Sequence, residues 1–424
     1  MASVFVRVIN HGKMCCALKS VVNARFTFAV TSKSQVRYSS SELKNHKRGE
    51  VHNDESKIQK SVFISQSDDI FTNLALEDWM YKNFDFTNHH VMLLWRNSPS
   101  VVVGRNQNPW LEANCGLLAD QGIQLARRES GGGTVYHDAG NLNLTFFTPR
   151  PRYNRRQNLE IISTALHREW GLKTEINKKE DIVINDMYKI SGTASKLGRP
   201  NSYHHCTLLV DVNKNLLSEA LHKYEKGIET KATQSVPSPV LNLTDVNSSV
   251  TISRLISSIG WEYLRTTPLS RKDGGWDLVG KQRGFQMINP TNDWFPGLEQ
   301  IRDEFQSWDW RFGKTPKFTV TRSFPLPRHI TVGGRTVETR AEEQLKVTLT
   351  VVNGLVEDVV MKIPQTLSMS EEFEEDLKMI TSIRGHRFTE EALDELNASL
   401  GAQIHRDDGK HFVTDCVRKV MASV

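Results

Sequence analysis

Short apolar runs and segments of helical spacing alternate along the first two thirds of the chain. The apolar runs predict strands at residues 90–95, 100–104, 123–126, 142–147, 181–184 and 207–210. Apolar residues at helical spacing predict helices at residues 74–80, 111–121 and 157–170. Strands and helices interleaved in this way predict an α+β (α/β-like) domain, which we place at residues 61–290.

The last third of the chain has a different pattern. Residues 345–352 and 355–363 alternate between apolar and polar, and Asn353-Gly354 between them is a strong hairpin signal. Acidic segments at residues 371–377 and 389–396 predict two helices. These elements predict a small α+β accessory domain, which we place at residues 291–424.

Basic and acidic residues are unevenly distributed in the segment that precedes the predicted domains. The 424 residues carry 54 Lys+Arg and 49 Asp+Glu, which gives a formal net charge of +5. Residues 1–41 hold six of the basic residues and no acidic one, so residues 42–424 carry 48 basic and 49 acidic residues. A basic, Ser-rich segment without acids is typical of an organelle transit peptide, which we predict at residues 1–41. The charged residues 42–60 predict a linker, and folding is expected to begin near Val62.

Composition and cysteine spacing exclude several classes of protein. With 38% hydrophobic and 24% charged residues, the chain has enough apolar material for a core, which argues against a disordered protein. It has no run of 18 apolar residues, so no membrane span is predicted. The five cysteines include no C-x-x-C pair, which disfavours a disulfide framework or a zinc site and is compatible with a reducing compartment. A basic stripe with stacking aromatic residues is not evident after residue 41, which disfavours a nucleic-acid-binding protein.

The most informative stretch is a run of three glycines, Gly131 to Gly133, between strand-like segments. Backbone N–H groups of such a loop can converge on a ligand without interference from Cβ atoms. Arg128, just before the loop, can pair with a phosphate or a carboxylate. Glycine-rich loops also occur in plain hairpins, and both the P-loop pattern and the dinucleotide-binding pattern are absent. A nucleotide-like ligand would therefore need another binding geometry.

A second stretch places a lysine before small residues. Lys189 precedes a Ser-Gly-Thr-Ala run at residues 191–194, where a ligand can approach closely and the lysine can neutralise a carboxylate or phosphate oxygen. An isolated lysine is more often a solvated surface residue. The His204-His205 pair is not predicted to bind a metal, because neighbouring strand residues point to opposite faces and no third ligand cluster is near. The sequence contains no G-x-S-x-G nucleophile elbow.

Together these stretches resemble the signatures of lipoate–protein ligases and lipoyltransferases. Residues 127–141 (RRESGGGTVYHDAGN) resemble that family's Arg-Arg-x-Ser-Gly-Gly-Gly signature. Residues 189–196 (KISGTASK) and 203–209 (YHHCTLL) resemble its Lys-x-Ser-Gly-x-Ala and His-His-x-Thr-Leu-Leu segments. The similarity extends in the family's order over residues 60–320, through residues 97–105, 108–109, 242–244 and 308–316. Within the family, the motifs are most similar to those of animal mitochondrial lipoyltransferases, whereas residues 325–424 match by position only.

The resemblance implies a fold, a ligand and a site. The fold is a biotin/lipoate protein ligase-type catalytic domain with a mixed sheet. The ligand is lipoyl-AMP as a substrate, with no permanently bound cofactor, no metal site, and Mg-ATP only if ligase activity is retained. Lys189 is the catalytic candidate and would bridge the phosphate and carbonyl oxygens of the mixed anhydride. The ligand-binding candidates are Arg128, Gly133, Thr134, Val135, Tyr136, Lys189 and Thr207 and, on approximate family position alone, Lys179, Thr233 and Ser235.

Some points stay open at this level. No general base is evident, since His137 and Asp138 beside the loop are at least as well suited to structural roles. Thr134 and Cys206 stand where bacterial ligases often have Ala and Gly. These exchanges fit the animal type, but they do not decide whether lipoate is activated with ATP.

The leading hypothesis from the resemblance is a mitochondrial lipoyltransferase. It would move a lipoyl or octanoyl group from lipoyl-AMP or a lipoylated carrier onto a lysine of the lipoyl domains of 2-oxoacid dehydrogenase acyltransferase subunits. The glycine-cleavage carrier protein is a candidate donor, and the mitochondrial matrix is the expected location. One alternative is a full lipoate–protein ligase that also activates lipoate with ATP. The alternative outside enzymes is a lipoyl-carrier-binding protein, which would keep the pocket but tolerate loss of Lys189.

Overall fold

The computed structural model describes residues 58–222, 227–265, 284–332, 334–364, 375–380, 383–389, 392 and 408–422. The predicted transit peptide at residues 1–41 and nearly all of the predicted linker at residues 42–60 lie outside the described residues. The first strand begins at Gln59, just before the predicted start of folding at Val62. Within the described ranges, no helix is long and apolar enough to cross a membrane.

Strands and helices are interleaved along the first part of the chain, and strands prevail in the last part. The strands are β1 (Gln59–Ser65), β2 (His89–Trp95), β3 (Ser100–Val103), β4 (Gln124–Arg127), β5 (Val135–His137), β6 (Asn141–Pro149), β7 (Glu175–Ile176), β8 (Ile182–Ile184), β9 (Tyr188–Lys189), β10 (Thr193–Leu197), β11 (Asn201–Leu209), β12 (Ile228–Thr230), β13 (Gly284–Ile288), β14 (Phe318–Pro325), β15 (His329–Val332), β16 (Arg335–Glu338), β17 (Gln344–Val352), β18 (Leu355–Pro364) and β19 (Glu375–Ile380). The helices are α1 (Ile70–Asn83), α2 (Pro109–Glu112), α3 (Cys115–Asp120), α4 (Arg155–Trp170), α5 (Lys214–Ala220), α6 (Leu243–Val246), α7 (Ile252–Arg265), α8 (Leu298–Gln306), α9 (Trp308–Arg311) and α10 (Asp408–Ala422).

A six-stranded mixed sheet forms the centre of the first part. Its order is β10-β11-β6-β2-β1-β13, in which β1 runs parallel to both neighbours and the other pairs are antiparallel. Side chains alternate between the two faces of a strand, so each face of the sheet has its own core. Helices α4 and α7 pack on the face that carries Leu144 and Phe146, and α1 packs on the face that carries Leu93 and Phe147. The predicted α+β class with a mixed sheet is confirmed.

A smaller sheet of order β4-β3-β5 positions the glycine loop. Strand β3 runs parallel to β4 and antiparallel to β5, and the loop connects β4 to β5. The loop passes over the end of β3, where a side chain in place of Gly104 would collide with the carbonyl oxygen of Gly132. Gly132 itself has a φ angle of 88°, a conformation that favours glycine. The loop therefore depends on glycine at both of these positions.

The last part of the chain is built on an antiparallel sheet of order β12-β14-β17-β18-β19. The predicted hairpin is confirmed, and Asn353 and Gly354 have φ angles of 51° and 73°, as a type I′ turn requires. Helix α10 packs against this sheet and against β15, and Val417 and Val420 lie in the shared core. Strand β12 comes from before residue 290, whereas α8 comes from after it and packs on α1. The chain thus crosses between the two parts more than once, and the division into residues 61–290 and 291–424 stays a prediction.

The helix predicted at residues 371–377 is wrong where the structure describes it. Residues Glu375–Ile380 form strand β19, which pairs antiparallel with β18 at the edge of the sheet. Pairing with a neighbouring strand outweighs the helix propensity of this acidic segment. The helix predicted at residues 389–396 lies mostly outside the described residues.

The single helix predicted at residues 111–121 is two short helices, α2 and α3. The side chain of Asn108 accepts a hydrogen bond from Trp110 N and caps the first helix. The side chain of Asn114 accepts one from Leu117 N and starts the second helix. Asparagine is among the best N-cap residues, so the second cap divides one apolar pattern into two helices.

Candidate active site

A cavity of about 390 Å³ opens between the main sheet, the glycine loop and the coil at residues 233–238. The structure brings nine of the ten predicted ligand residues to its wall. They are Arg128, Gly133, Thr134, Val135, Lys179, Lys189, Thr207, Thr233 and Ser235. Residues that are far apart in the sequence therefore converge on one space.

Tyr136 is the predicted ligand residue that does not reach this cavity. Neighbouring side chains on β5 point to opposite faces, so Val135 lines the cavity and Tyr136 packs with Val101 and Val103 in a separate cluster. Strand alternation thus directs the Tyr136 ring into the core. That Tyr136 contacts a ligand stays a prediction.

Arg128 organises the glycine loop from inside the protein. Its guanidinium group donates to the carbonyl oxygens of Gly131 and Gly133 at 2.7 and 2.6 Å and of Val102 at 3.0 Å. Burial lowers the pKa of Arg128 to about 10, so the group is still charged at neutral pH. The guanidinium group thus pairs with the loop, and its predicted contact with a ligand stays a prediction. Because these carbonyl groups turn toward Arg128, the N–H groups on the other side of the same peptide planes turn away from it.

Gln107 joins the glycine loop to the coil, although no sequence pattern singled it out. Its Oε1 accepts hydrogen bonds from Gly104 N at 2.7 Å and from Thr134 Oγ1 at 2.9 Å. Its Nε2 donates to Ser235 Oγ at 3.0 Å, and Thr134 N donates to the same oxygen at 2.8 Å. Thr134 and Ser235, both predicted ligand residues, are therefore held against each other as one wall of the cavity.

A hairpin presents Lys189 to the cavity. Strands β8 and β9 are antiparallel, and the turn between them contains Asn185 and Asp186, which have φ angles of 53° and 60°. Lys189 N donates to Pro239 O at 2.9 Å, which fixes the strand to the coil. Since the lysine side chain is 25% exposed, its ammonium group can meet a ligand that enters from solvent.

Asp181 is a second functional candidate that the sequence patterns did not mark. It lines the cavity, and its Oδ1 lies 2.9 Å from Lys189 Nζ. The carboxylate holds the lysine charge in place, and a ligand phosphate can compete for that charge. A carboxylate at this point can also accept a proton from an amine that approaches it. The only sequence signal was an acidic residue directly before the buried run at residues 182–184.

Thr207 joins the lysine-bearing segment to the main sheet. Its Oγ1 accepts a hydrogen bond from Gly192 N at 2.9 Å, and its own N–H donates to Gly192 O at 2.9 Å. A Cβ at position 192 would come within 3.2 Å of Thr207 Oγ1. The small residues that follow Lys189 therefore allow the close approach of β11 that shapes this side of the cavity.

A chain of buried hydrogen bonds links the loop to helix α1. Arg128 Nε donates to Ser130 Oγ at 2.9 Å, and this oxygen lies 2.8 Å from His205 Nε2. His205 Nδ1 lies 2.9 Å from Glu77 Oε1, which also accepts a hydrogen bond from Thr145 Oγ1 at 2.7 Å. The chain gives the glycine loop a fixed support on the main sheet.

His204 and His205 point to opposite faces of β11, as expected for neighbours on a strand. His204 stacks on Phe146 with ring centroids 5.9 Å apart, whereas His205 faces Glu77. Burial holds the pKa of His204 well below its usual value, so this ring is neutral. In the part of the chain that the structure describes, no group of three or more His, Cys, Asp or Glu residues could hold a metal ion. That the protein has no metal site stays a prediction.

Lysine side chains line the more exposed part of the cavity, and an apolar wall forms part of its buried lining. Leu74, Trp95 and Val102 belong to this wall and are at most 3% exposed. Cys206 lies in the same wall, and burial raises the pKa of its thiol, so it is an unreactive apolar side chain. This combination suits a ligand that has an apolar tail and a charged head.

Comparisons with known proteins agree with this arrangement. The lipoyl protein ligase A/B catalytic domain matches residues 69–262, which include the glycine loop, Lys189 and Thr207. Lipoyl amidotransferase LIPT1, mitochondrial, of Mus musculus is 42% identical over 305 residues, which are 72% of this chain and 76% of that protein. This chain belongs to the lipoyl protein ligase A/B family.

Further members of the family extend the comparison. Lipoyl amidotransferase LIPT1, mitochondrial, of Homo sapiens is 39% identical over 298 residues, which are 70% of this chain and 74% of that protein. The crystal structure of P. falciparum LipL1 in complex with lipoate has a TM-score of 0.51 and 23% sequence identity, and covers 86% of this chain and 99% of that chain. At this identity, the structural likeness shows the fold alone. The family that the motifs predicted is confirmed.

The structure allows three candidates for a general base, His137, Asp138 and Asp181, to be compared. Asp138 accepts hydrogen bonds from Gly140 N at 2.8 Å and from Asn213 N at 2.9 Å, which gives it a structural role at a turn. His137 lines the cavity but is almost fully buried. Asp181 lies next to Lys189 and is therefore the best placed of the three to act as a general base.

Proposed function

We propose that this chain is a lipoyltransferase, which moves a lipoyl or octanoyl group onto a lysine of a lipoyl domain. The donor is lipoyl-AMP or an already lipoylated carrier. The observation that carries the proposal is the Lys189–Asp181 pair, whose charged atoms lie 2.9 Å apart at the mouth of a cavity bordered by the glycine loop. Two relatives named lipoyl amidotransferase support the same activity.

The cavity fits the parts of an acyl-adenylate. Lys179 and Lys189 supply positive charge for the single phosphate, and the loop with Thr134 and Ser235 borders the nucleoside side. The apolar inner wall receives the acyl chain, whose burial provides binding free energy. Lipoyl-AMP is therefore proposed as a substrate, with no permanently bound cofactor.

Transfer from lipoyl-AMP is a substitution at the acyl carbon. The neutral amine of the acceptor lysine forms an N–C bond, the C–O bond to the phosphate breaks, and AMP leaves. Lys189 stabilises the negative charge that develops on the carbonyl oxygen and on the phosphate. Because the phosphate draws Lys189 away from Asp181, this carboxylate is released to accept the proton that the attacking amine loses.

The same groups suit transfer from a lipoylated carrier. In that reaction the bond that breaks is an amide, and the leaving lysine amine must gain a proton. Asp181 can return to the leaving amine the proton that it took from the attacking amine. The name amidotransferase of the two relatives favours keeping this second donor beside lipoyl-AMP.

The proposed acceptors are the lipoyl domains of 2-oxoacid dehydrogenase acyltransferase subunits. The glycine-cleavage carrier protein is the proposed lipoylated donor. The mitochondrial names of the relatives and the acid-free basic residues 1–41 support a mitochondrial location, which we place in the matrix.

A transfer assay with three donors tests the proposal. A lipoyl domain is incubated with lipoate plus Mg-ATP, with lipoyl-AMP or with a lipoylated carrier, each with and without the protein. Intact-mass spectrometry of the acceptor should show protein-dependent modification with lipoyl-AMP and with the lipoylated carrier. Modification with lipoate plus Mg-ATP would identify a full lipoate–protein ligase. Binding of the carrier without any gain above the control would contradict the proposal and favour a lipoyl-carrier-binding protein.

A further inference from the structure

The inner end of the cavity contains two polar side chains that the proposed transfer step does not use. His137 and Asn143 line the cavity and are 3% and 2% exposed. His137 Nε2 and Asn143 Nδ2 are buried and have no hydrogen-bond partner among the residues that the structure describes. A buried polar group without a partner costs free energy, so these two atoms are candidates for contacts with a ligand.

A series of side-chain amides fixes which nitrogen of His137 carries the proton. Asn73 Nδ2 lies 2.9 Å from the carbonyl oxygen of Arg96, which can only accept, so this nitrogen is a donor. It also donates to Asn97 Oδ1 at 2.9 Å. Asn97 Nδ2 therefore faces His137 Nδ1 at 2.8 Å and donates to it. Neutral His137 must then carry its proton on Nε2, the atom without a partner.

The charge state of His137 agrees with this assignment. Burial and the nearby charge of Arg128 lower the pKa of His137 to about 3, so the ring is neutral at physiological pH. Asn143 Oδ1 accepts a hydrogen bond from Asn141 Nδ2 at 3.0 Å, which leaves its own Nδ2 as the second donor. Both unpaired groups are thus N–H donors.

The two donors lie around one aromatic ring. Trp95 packs edge-on against His137 with ring centroids 6.1 Å apart, and it pairs in register with Asn143 across β2 and β6. All three residues are almost fully buried, whereas Lys189 at the mouth is one quarter exposed. The donors thus lie in the buried part of the cavity that Lys189 also lines.

We propose that His137 and Asn143 form a subsite for the sulfur atoms of the dithiolane ring, through which the protein prefers a lipoyl over an octanoyl tail. This inference rests on the proposed function and names the feature of the tail that the site recognises. Sulfur accepts an N–H hydrogen bond weakly, whereas the methylene and methyl groups of an octanoyl chain accept none. An octanoyl tail would leave both donors buried and unpaired.

The size of the preference follows from the strength of such contacts. Since a net hydrogen-bond contribution is modest, we expect lipoyl-AMP to bind about tenfold more tightly than octanoyl-AMP. Calorimetric titration of the full chain with each adenylate, without an acceptor domain, measures this ratio. In His137→Phe the ratio should fall to about threefold, because phenylalanine fills the space but has no N–H donor and only the Asn143 donor remains.

A control and a second readout separate recognition from folding. Val102→Ala trims the apolar wall of the same cavity, so it should weaken both adenylates while the wild-type ratio is kept. In the wild-type protein with isotope-labelled histidine, the Nε2–H resonance of His137 should shift with lipoyl-AMP and much less with octanoyl-AMP. This resonance tests the dithiolane subsite in the wild-type protein, even if His137→Phe does not fold.

The outcomes distinguish this inference from the proposed function. Equal affinity for the two adenylates, together with an unmoved His137 resonance, would overturn the dithiolane subsite while transfer itself could still occur. A tenfold preference without any transfer to a lipoyl domain would support the subsite and contradict the proposed function. If neither adenylate binds, the subsite is wrong, and the assay with the lipoylated carrier decides the proposed function separately.

Discussion

A substitution of Asp181 distinguishes the role of its carboxylate from the role of Lys189. In Asp181→Asn the shape of the site is kept, but the group that accepts the amine proton is lost. We expect the single-turnover rate of transfer from lipoyl-AMP to fall about 100-fold, the usual scale of general base catalysis. Affinity for lipoyl-AMP should not weaken, because Lys189 loses the carboxylate that competes with the phosphate.

The matched control for this variant lies on the same hairpin. Asp186 is exposed and has a φ angle of 60°, a conformation that asparagine tolerates well. Asp186→Asn makes the same chemical change at the turn and should transfer at the wild-type rate. An Asp181→Asn variant that is as fast as Asp186→Asn would exclude Asp181 as the base.

At the residue scale, the sequence predicted the candidate site residues that lie within the family-like motifs. The glycine loop, Lys189 and Thr207 lie in runs that resemble a family, and the structure brings them to one cavity. Asp181 and Gln107 were missed because their importance comes from contacts with residues far along the chain or on another strand. Such contacts leave no local pattern in a single sequence.

At the scale of elements, the glycine loop packs closely against the end of β3. A side chain at position 104 collides with the Gly132 carbonyl, so Gly104→Ala must displace the loop. We expect this variant to lose about 1–3 kcal/mol of unfolding free energy, the usual cost of overpacking. Urea denaturation followed by circular dichroism measures the loss.

Gly116→Ala in α3 provides the comparison. A Cβ there meets no atom closer than 3.9 Å, and alanine is a better helix former than glycine. This variant should be as stable as the wild type or more stable. Equal stability of Gly104→Ala and Gly116→Ala would show that the loop does not need the close approach seen at β3.

The elements that could be predicted are those with strong local patterns. The buried strands β2 and β6 and the hairpin at Asn353-Gly354 appear where the apolar pattern placed them. Strand β1 went unpredicted because QKSVFIS has few apolar residues, and its parallel pairing with β2 and β13 stabilises it. The pattern of β19 predicts a helix instead, because its strand structure depends on pairing with β18.

At the scale of the whole molecule, one buried arginine joins distant segments. Arg127 is fully buried and donates to the carbonyl oxygens of Trp310 and Arg311, to those of residues 104, 105 and 107, and to Thr315 Oγ1. Its removal in Arg127→Met leaves several of these acceptors buried without a donor. We expect a loss of at least about 3 kcal/mol in the free energy of unfolding, since each such acceptor costs 1–3 kcal/mol.

Thermal and urea unfolding of Arg127→Met and Arg335→Met check this expectation together. Arg335 is exposed on β16, so its replacement should change stability by no more than about 0.5 kcal/mol. If both variants unfold at the same denaturant concentration, Arg127 does not hold these segments together.

The net positive charge of the whole chain does not come from the residues around the cavity. The excess of positive charge is confined to residues 1–41, because residues 42–424 carry nearly equal numbers of acidic and basic side chains. If the proposed phosphate site exists, its affinity would come from local groups that line the cavity, such as Lys179 and Lys189. Long-range attraction by net charge contributes little.

The central claim is that Lys189 activates an acyl-adenylate for transfer, and Lys189→Met tests it most directly. The control is Lys214→Met, which removes an exposed lysine that pairs with Asp245 at 2.8 Å. Single-turnover transfer from lipoyl-AMP to a lipoyl domain, followed by intact-mass spectrometry, should be at least about 100-fold slower in Lys189→Met and unchanged in Lys214→Met. Transfer by a folded Lys189→Met protein at the wild-type rate would contradict the account.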